Sequence, residues 1–460
     1  MIEIRRNTAR ALADDQLQRN LAHALGHTLQ ARDRAVGEVE DWEQLRRYAR
    51  QVKAHTLARL DRYLGQLEGR VKEQGGEVIW ARDAQEACRF IVELAGRKGV
   101  REVVKSKTMA GEEIHLNQAL EQAGIVPVES DLGEYLVQLE GVPPSHIIAP
   151  ALHLSRGDAA RLMHEKVGME LTEDVQRITA EARRQLRRRF LEAGMGISGV
   201  NFAVAESGTL VVVENEGNAR LSVSAPPIHV AVMGLEKVVP RVEDLAVLLK
   251  VLIRSATGQS VSSYINFLNG PRREGEIDGP DEFYLVLIDN GRSRILADEH
   301  LRETLYCLRC GACQNVCPVY QRIGGHAYES TYQGPIGAIL TPQLLSLQEA
   351  PEHPFASSLC GACQEVCPVG IEIPRILLEL RGRAKKRSNA GSKLEAFAWR
   401  LWSLLMTHPR LYSATSAFLR HPLRVLLHLG LTPPPLNRWT VSRHLPAVPA
   451  APFRSRFPAD

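Results

Sequence analysis

Seven of the eight cysteines lie between residues 307 and 367, in two copies of one pattern: CGACQNVCPV at 310–319 and CGACQEVCPV at 360–369. Nine of the ten positions agree, and with Cys307 in front the first copy reads C-x2-C-x2-C-x3-C-P. A disulfide scaffold would be a short secreted chain with cysteines spread along it, so thiols this concentrated in a 460-residue chain point to metal. Two copies are too few for a solenoid and mark an internal duplication.

A cubane iron-sulfur cluster has four irons, each wanting one thiolate. Cysteines at i, i+3 and i+6 wrap three corners, and the fourth must come from elsewhere. In the C-x2-C-x2-C-x3-C-P run of two-cluster ferredoxins the fourth cysteine ligates the other cluster, and a duplicated copy reciprocates. The spacing therefore predicts Cys307, Cys310, Cys313 and Cys367 on one cluster and Cys317, Cys360 and Cys363 on a second. The position three before Cys360 is Ser357, which leaves open a 4Fe-4S cubane with a serine, water or non-protein ligand, or a 3Fe-4S cluster. Zinc also takes paired CxxC thiolates, but it gives no use to the crowded cysteine at i+6 or to the proline after each last cysteine. The C-x3-C-x2-C spacing of radical S-adenosylmethionine chemistry is absent. Two neighbouring clusters predict an electron relay, screened from water by Pro318, Pro368, Val316, Val319, Val366 and Ile371, although ordinary core packing explains the valines equally.

At 44% hydrophobic and 24% charged, the chain reads as globular, with two or three domains. No uncharged apolar run approaches the ~20 residues of a membrane span, and the start MIEIRRNTARALADDQLQRN lacks the apolar core of a secretory signal. The expected location is cytoplasmic. Cys88, alone in the helical stretch DAQEACRFIVELAG, reads as a buried core thiol. From Arg381 onward 14 Lys and Arg face 2 acids, whereas acids outnumber bases before it. Such a basic end suits a partner subunit or the inner face of a membrane; no nucleic-acid-binding module accompanies it.

Along the chain, residues 1–72 read as an amphipathic helical region. Residues 73–297 alternate β-rich runs (GEVIWA, REVVKSKT, IVPVESD, SHIIAPA) with helical stretches, as in an α/β domain built on a parallel sheet. A helix over about 171–193 leads into VNFAVAESGTLVVVENEGNARL, expected to add antiparallel strands to that sheet, and IHVAVMGLEKVV and EFYLVLIDNG supply further strands. Residues 298–385 form the cysteine domain, 386–430 a basic helical region with Trp399 and Trp402, and 431–460 a proline-rich tail without fixed structure that carries Trp439. The long gap between the cysteine motifs reads either as a loop over the clusters or as a packed excursion.

Outside the cysteines, Lys105 and Lys107 fall on one face at the end of REVVKSKT, before a helix that Thr108 caps, where α/β sheets bind anions. The same residues also read as a solvated strand end, with Glu112 and Glu113 complementing the helix dipole. Glu206, Glu214 and Glu216, near Asn201, Asn215, Asn218 and Arg220, suggest a polar pocket or merely hairpin ends. His115, His146 and His153 are candidate bases or structural histidines. No G-x-G-x-x-G dinucleotide signature follows VVKSKT.

Taken together, VKSKTMAGEEIHLNQALEQAGIVPVESDLGEYLVQL (104–139), PPSHIIAPALH (143–153), NFAVAESGTLVVVENEGNARLS (201–222), QGPIGAILTP (333–342) and the two cysteine motifs resemble the lactate utilization protein B family. The likeness runs from about 20 to 430, and the family shares the seven-cysteine pattern. The resemblance implies an α/β LUD domain similar to the NagB/RpiA/CoA transferase fold, then an all-α ferredoxin-type domain with two 4Fe-4S clusters. It also implies one component of a bacterial complex oxidising L-lactate to pyruvate, whose partners are a cysteine-rich subunit and a second LUD-domain subunit. The rivals are an equivalent relay for another 2-hydroxy acid or for glycerol phosphate, and a non-redox enzyme of the CoA transferase-like fold.

Overall fold

In the computed structural model, residues 3–387, 393–431, 437, 440, 444–449 and 451 are described. Trp439 and most of the proline-rich tail lie outside them. By internal packing the chain divides into Met1–Ala384 and Lys385–Asp460.

The first unit opens with four helices, Ile4–Ala13, Asp15–Gly37, Trp42–Leu57 and Leu60–Glu73, each with its apolar residues on one face. The strands that follow are Glu77–Ala81 (β1), Glu102–Lys105 (β2), Val126–Glu129 (β3), Met195–Gly199 (β4), Phe202–Val204 (β5), Thr209–Glu214 (β6), Ile228–Gly234 (β7), Val238–Val239 (β8), Tyr264–Leu268 (β9) and Glu282–Ile288 (β10). Six of them form one sheet in the order β1-β10-β7-β4-β2-β3, with every pairing parallel. Parallel pairing follows from the crossover helices, whose starts are fixed by side-chain caps: Asp83 accepts from Glu86 N at 2.9 Å and Asp131 from Glu134 N at 3.0 Å.

Apart from His229, the inner strands β7 and β10 are largely apolar and buried on both faces, as a doubly covered sheet requires. Val230, Val232 and Val286 pack on one side with Cys88 and Ile91, while Ala231, Met233, Leu285 and Leu287 pack on the other. This second core runs without a break into Val52 and Leu67 of the N-terminal helices and into Cys310, Cys363 and Cys367. The cysteine motifs are thereby built onto the α/β domain.

Two expectations change, and one open reading is settled. The segment 201–214 does not extend the main sheet: β5 and β6 join β8 and β9 in a separate four-stranded sheet, order β8-β5-β6-β9. The break falls at Asn201, whose side chain accepts from Val213 N at 2.8 Å and turns the chain away from β4. SHIIAPA is not a strand either. His146 Nδ1 accepts from the backbone of both Ile148 and Ala149 at 3.0 Å, so those N–H groups serve a local turn. The long gap between the motifs is a packed excursion of short helices, and nearly every residue of Gly334–Leu344 is buried.

The second unit holds helices Lys393–Thr407 and Pro409–His428. Trp399 and Trp402 stack edge-on at 5.6 Å and both are exposed, as are Phe397, Leu404 and Phe418. Among the described residues no helix is long and apolar enough to cross a membrane.

Candidate functional site

The duplication in sequence is a duplication in backbone. Arg309 and Leu359, each the residue before the copy's first shared cysteine, take left-handed φ values of 64° and 58°, and Gly311 and Gly361 after it take 75° and 89°. Short helices, Ala312–Val316 and Ala362–Glu365, follow in each copy. Two left-handed residues around one cysteine curl the loop so that its thiols face inward.

The thiols fall into two neighbourhoods. Cys307, Cys310, Cys313 and Cys367 line one small pocket closed by Ile336, Pro368, Val369, Ile371 and Ile373. Burial pushes the Cys310 thiol up to about 12, with Cys367 and Cys307 beside it adding to the rise, and pushes Cys367 up to about 11 with a further push from Cys307. Cys363 is held up to about 12 by burial and by Cys317 and Cys360. Cys360 is exposed, and a hydrogen bond with the Ser358 side chain lowers its thiol. Buried thiols that hold one another's protons on are poor thiolates until a strong positive charge arrives, which suits a metal centre. Backbone donors are aimed at the sulfurs: Arg309 N to Cys307 Sγ and Ile371 N to Cys367 Sγ, both at 3.4 Å. Among the described residues no three His, Cys, Asp or Glu side chains gather closely enough to hold a single ion. Four thiols lining one pocket match the donor set of a four-iron cluster.

The N-terminal helices clamp the second motif. Arg46 Nε donates to Cys367 O at 2.9 Å, Arg32 Nη2 to Val366 O at 3.2 Å, and Arg50 to Gly370 O while it pairs with Glu303 at 2.7 Å. Sequence reading gave these helices no part in the site. An arginine at every third or fourth position of an amphipathic helix is an ordinary solvated face until the fold shows what it meets.

The α/β domain contains a cavity of about 370 Å³. Its lining runs from exposed Asn215 and Glu216 to buried Glu236, Arg292, Arg309 and Tyr332. Glu236 Oε2 accepts from Arg292 Nε at 2.6 Å and Oε1 from Arg309 Nη2 at 3.3 Å. Arg292 also grips Glu113 with both terminal nitrogens at 2.8 Å, and the Tyr332 hydroxyl donates to Glu113 at 2.6 Å. The Arg309 guanidinium lies 4.4 Å over the Tyr332 ring. Alone among the described lining residues, Arg309 borders both this cavity and the cysteine pocket. Sequence analysis missed Arg309, Glu236, Lys237, Arg292 and Tyr332. The available signals were an arginine inside the cysteine loop and a charged pair inside the apolar run VMGLEKVV.

The structure parts the two strand-end lysines. β2 ends at Lys105, so the two-residue alternation that would align Lys107 with it stops there. Lys105 is buried against Glu129 at 2.6 Å and Asn117 at 2.5 Å. Lys107 and Thr108 line the cavity; the Lys107 ammonium donates to Ile148 O at 2.7 Å, and Thr108 accepts from Gly111 N at 3.2 Å as the helix cap. The three glutamates each meet a helix N-terminus: Glu206 accepts from Val242 N at 2.8 Å, Glu214 from Ala219 N at 2.7 Å and Arg220 N at 2.8 Å, and Glu216 from Leu132 N at 3.1 Å. Glu214 and Glu216 border the cavity together with Asn201, Asn215 and Asn218. His115 is exposed. His146 is buried with both nitrogens engaged, Nε2 lying 2.9 Å from Asn315, and His153 bonds Ser145 and Glu140. Cys88 is buried in the core and donates to Ile114 O.

Residues 64–288 match the LUD domain, 303–371 a 4Fe-4S dicluster domain, and 379–459 the C-terminal region of lactate utilisation protein B. Lactate utilization protein B of Shouchella clausii is 43% identical over 98% of this chain and 95% of its own length. That of Bacillus cytotoxicus is 45% identical over 92% and 90%. An uncharacterized electron transport protein of Escherichia coli, YkgF, is 41% identical over 97% and 94%. A crystal structure of a duf162 family protein from Deinococcus radiodurans matches 50% of this chain and 98% of its own at 14% identity, with a TM-score of 0.29. With near-complete coverage at this identity, the chain belongs to the lactate utilization protein B family.

Proposed function

We propose that this protein is the iron-sulfur electron-transfer component of a bacterial complex that oxidises L-lactate to pyruvate. The observation that carries the reading is the division of the seven cysteines into two neighbourhoods: four around one apolar pocket, and Cys317, Cys360 and Cys363 near one another. In this reading Cys307, Cys310, Cys313 and Cys367 hold one 4Fe-4S cluster, and the other three hold a second. Such clusters, once bound, take up and release single electrons, and two of them suit the electron pair that leaves when L-lactate loses two protons to become pyruvate. The names of the relatives, lactate utilization protein B and electron transport protein, support the same role.

The chain's own part is to exclude water and fix the sulfurs. Ile336, Val369 and Ile371 keep the first pocket dry, and the Arg309 and Ile371 amides are aimed at ligand sulfurs, an arrangement that tunes cluster potential. Exposed Cys360 makes the second cluster the exit toward a partner. Its fourth ligand, in this reading, is Ser357. Leu359 N donates to Ser357 Oγ at 3.1 Å, the counterpart of the Arg309 N–H bond to Cys307 Sγ. The α/β domain is read as NagB/RpiA/CoA transferase-like, consistent with its six parallel strands, and the cysteine domain as ferredoxin-type, consistent with its helices. The proposed partners are a cysteine-rich subunit and a second LUD-domain subunit. The proposed setting is cytoplasmic, with the basic C-terminal region at the inner membrane face.

The test is anaerobic reconstitution with both partners and electron paramagnetic resonance before and after L-lactate. New signals from reduced clusters are expected with L-lactate and not with glycolate or glycerol phosphate. Silence with lactate and a response to either of the others would transfer the relay to that substrate. Full turnover after cluster loss in Cys310→Ala would favour a non-redox enzyme.

A further inference from the structure

We propose that the buried end of the α/β cavity, between Lys237 and Arg309, binds the carboxylate of a small 2-hydroxy or 2-oxo acid beside the first cysteine loop. Four cations line the cavity: Lys107, Lys237, Arg292 and Arg309. Two of them are partly committed. Lys107 gives one of its three N–H groups to Ile148 O, and Arg292 gives four of its five to Glu236, both oxygens of Glu113 and Asp289 O.

The other two keep donors in reserve. Arg309 is 8% exposed, and although its Nη2 reaches Glu236, its Nη1 is buried with no hydrogen-bond partner. A guanidinium N–H held out of water without an acceptor is costly, and buried polar groups in native proteins are otherwise almost always paired, so a small shift of the Arg309 guanidinium from the Tyr332 face into the cavity it lines would gain an acceptor from a bound anion. No hydrogen bond or contact-distance ion pair joins the Lys237 ammonium to another described residue, and its charge is favoured only through space, by Glu236 and Cys307. Two neighbouring cations with donors to spare suit the fork of a carboxylate.

The surroundings set the class. Asp131, Glu214, Glu216 and Glu236 also line the cavity, so its charge balance suits a monoanion better than a phosphate dianion. Leu252, Ile253, Ala256 and Met233 offer an apolar wall to the carbon chain, and about 370 Å³ admits a small acid with water or one several carbons longer. An acid held by Arg309 would lie against the residue that also borders the cysteine pocket, at the entrance to the relay. The naming of the acid as an oxidisable 2-hydroxy acid rests on the relay reading above; the anion site itself does not.

The experiment uses the full, cluster-loaded chain under anaerobic conditions. L-lactate, pyruvate, a longer 2-hydroxy acid and inorganic phosphate are each titrated calorimetrically, and protection of Lys237 from reductive methylation is read by mass spectrometry. One-to-one binding of the carboxylates, weaker binding of phosphate and protection of Lys237 by L-lactate are expected. Lys237→Met should weaken carboxylate binding about tenfold or more at unchanged iron content, and Lys237→Arg should restore most of it. If Lys237→Met fails to load clusters, the wild-type protection experiment decides. Lack of carboxylate binding, or binding that neither protects Lys237 nor weakens in Lys237→Met, overturns the site. Preferential binding of phosphate overturns the class. Lactate-driven cluster reduction in the complex without binding here would sink the site and leave the relay standing; binding without reduction would do the reverse.

Discussion

Glu236 Oε1 lies 3.3 Å from Arg309 Nη2, joining the end of the central sheet to the loop between Cys307 and Cys310. Burial would raise the Glu236 carboxyl, but Arg292 and Arg309 on either side bring it down to about 2, so it stays ionised at any physiological pH. One carboxylate thus holds two buried guanidinium groups, one from the helix Arg292–Ala297 that follows β10 and one from the loop between Cys307 and Cys310.

Glu236→Gln should therefore destabilise the whole first unit rather than a local loop. Removing one partner of a buried pair leaves uncompensated charge and costs about 3–5 kcal/mol. A fall of several degrees in the anaerobic unfolding midpoint is expected, together with lower iron content as the Arg309 loop loosens. An unchanged midpoint would mean that the network holds nothing together. Gly234→Ala should imitate the effect, because a Cβ at Gly234 would collide with both Glu236 and Arg292.

Single-cysteine variants should divide the iron. Two 4Fe-4S clusters give about eight irons per chain, so Cys310→Ala and Cys363→Ala should each leave about four. The double variant should leave almost none. Resonance spectra of the two single variants should be complementary and together reproduce the wild type. Loss of all iron in Cys363→Ala alone would show that the second centre is needed to assemble the first.

What the sequence disclosed and what it hid divide by range. The repeated cysteine spacing, the alternation of strands with helices and the Thr108 cap depend on neighbours a few residues apart, so spacing and periodicity reveal them. The network of Glu113, Glu236, Arg292 and Arg309 joins residues up to 196 positions apart in number, and each of them reads alone as an ordinary surface charge. The candidate glutamates show the converse. Glu206, Glu214 and Glu216 sit at hairpin ends as expected, but the helix N-termini they meet come from crossovers that no local pattern predicts. Lys105 and Lys107 were joined by a strand alternation that stops at Lys105 itself.

Ser357 supplies a sharper test of the second cluster. If its hydroxyl is the fourth ligand, Ser357→Cys should retain four irons at that centre and change its resonance signal, because thiolate replaces a harder oxygen donor. Ser357→Ala should make the centre prone to lose one iron and convert to a 3Fe form on oxidation. Neither substitution should alter the signal of the cluster held by Cys307, Cys310, Cys313 and Cys367. Spectra of both variants identical to wild type would exclude serine as a ligand.

His229 makes the α/β domain sensitive to mild acid. It sits at 2% exposure in β7, with Nε2 2.8 Å from Ser198 Oγ and its ring 5.2 Å from Phe283. Burial lowers its imidazole from 6.5 to about 3. As pH falls below 6.5 the unfolded chain takes up a proton that the folded chain refuses until about 3, so the stability this residue contributes at neutral pH is lost across that window. At about 1.4 kcal/mol per pH unit, the loss between pH 6.5 and 5 is about 2 kcal/mol. His146 and His353, each lowered to about 4 by burial, act in the same direction, so the wild-type slope alone does not isolate His229. The comparison that does is the unfolding midpoint of His229→Gln against wild type from pH 7.5 to 5. The variant should be the less stable protein at pH 7.5, through imperfect packing against Phe283, and the gap should narrow or reverse by pH 5. Parallel profiles would mean that His229 is protonated in the folded sheet or has no part in the acid response.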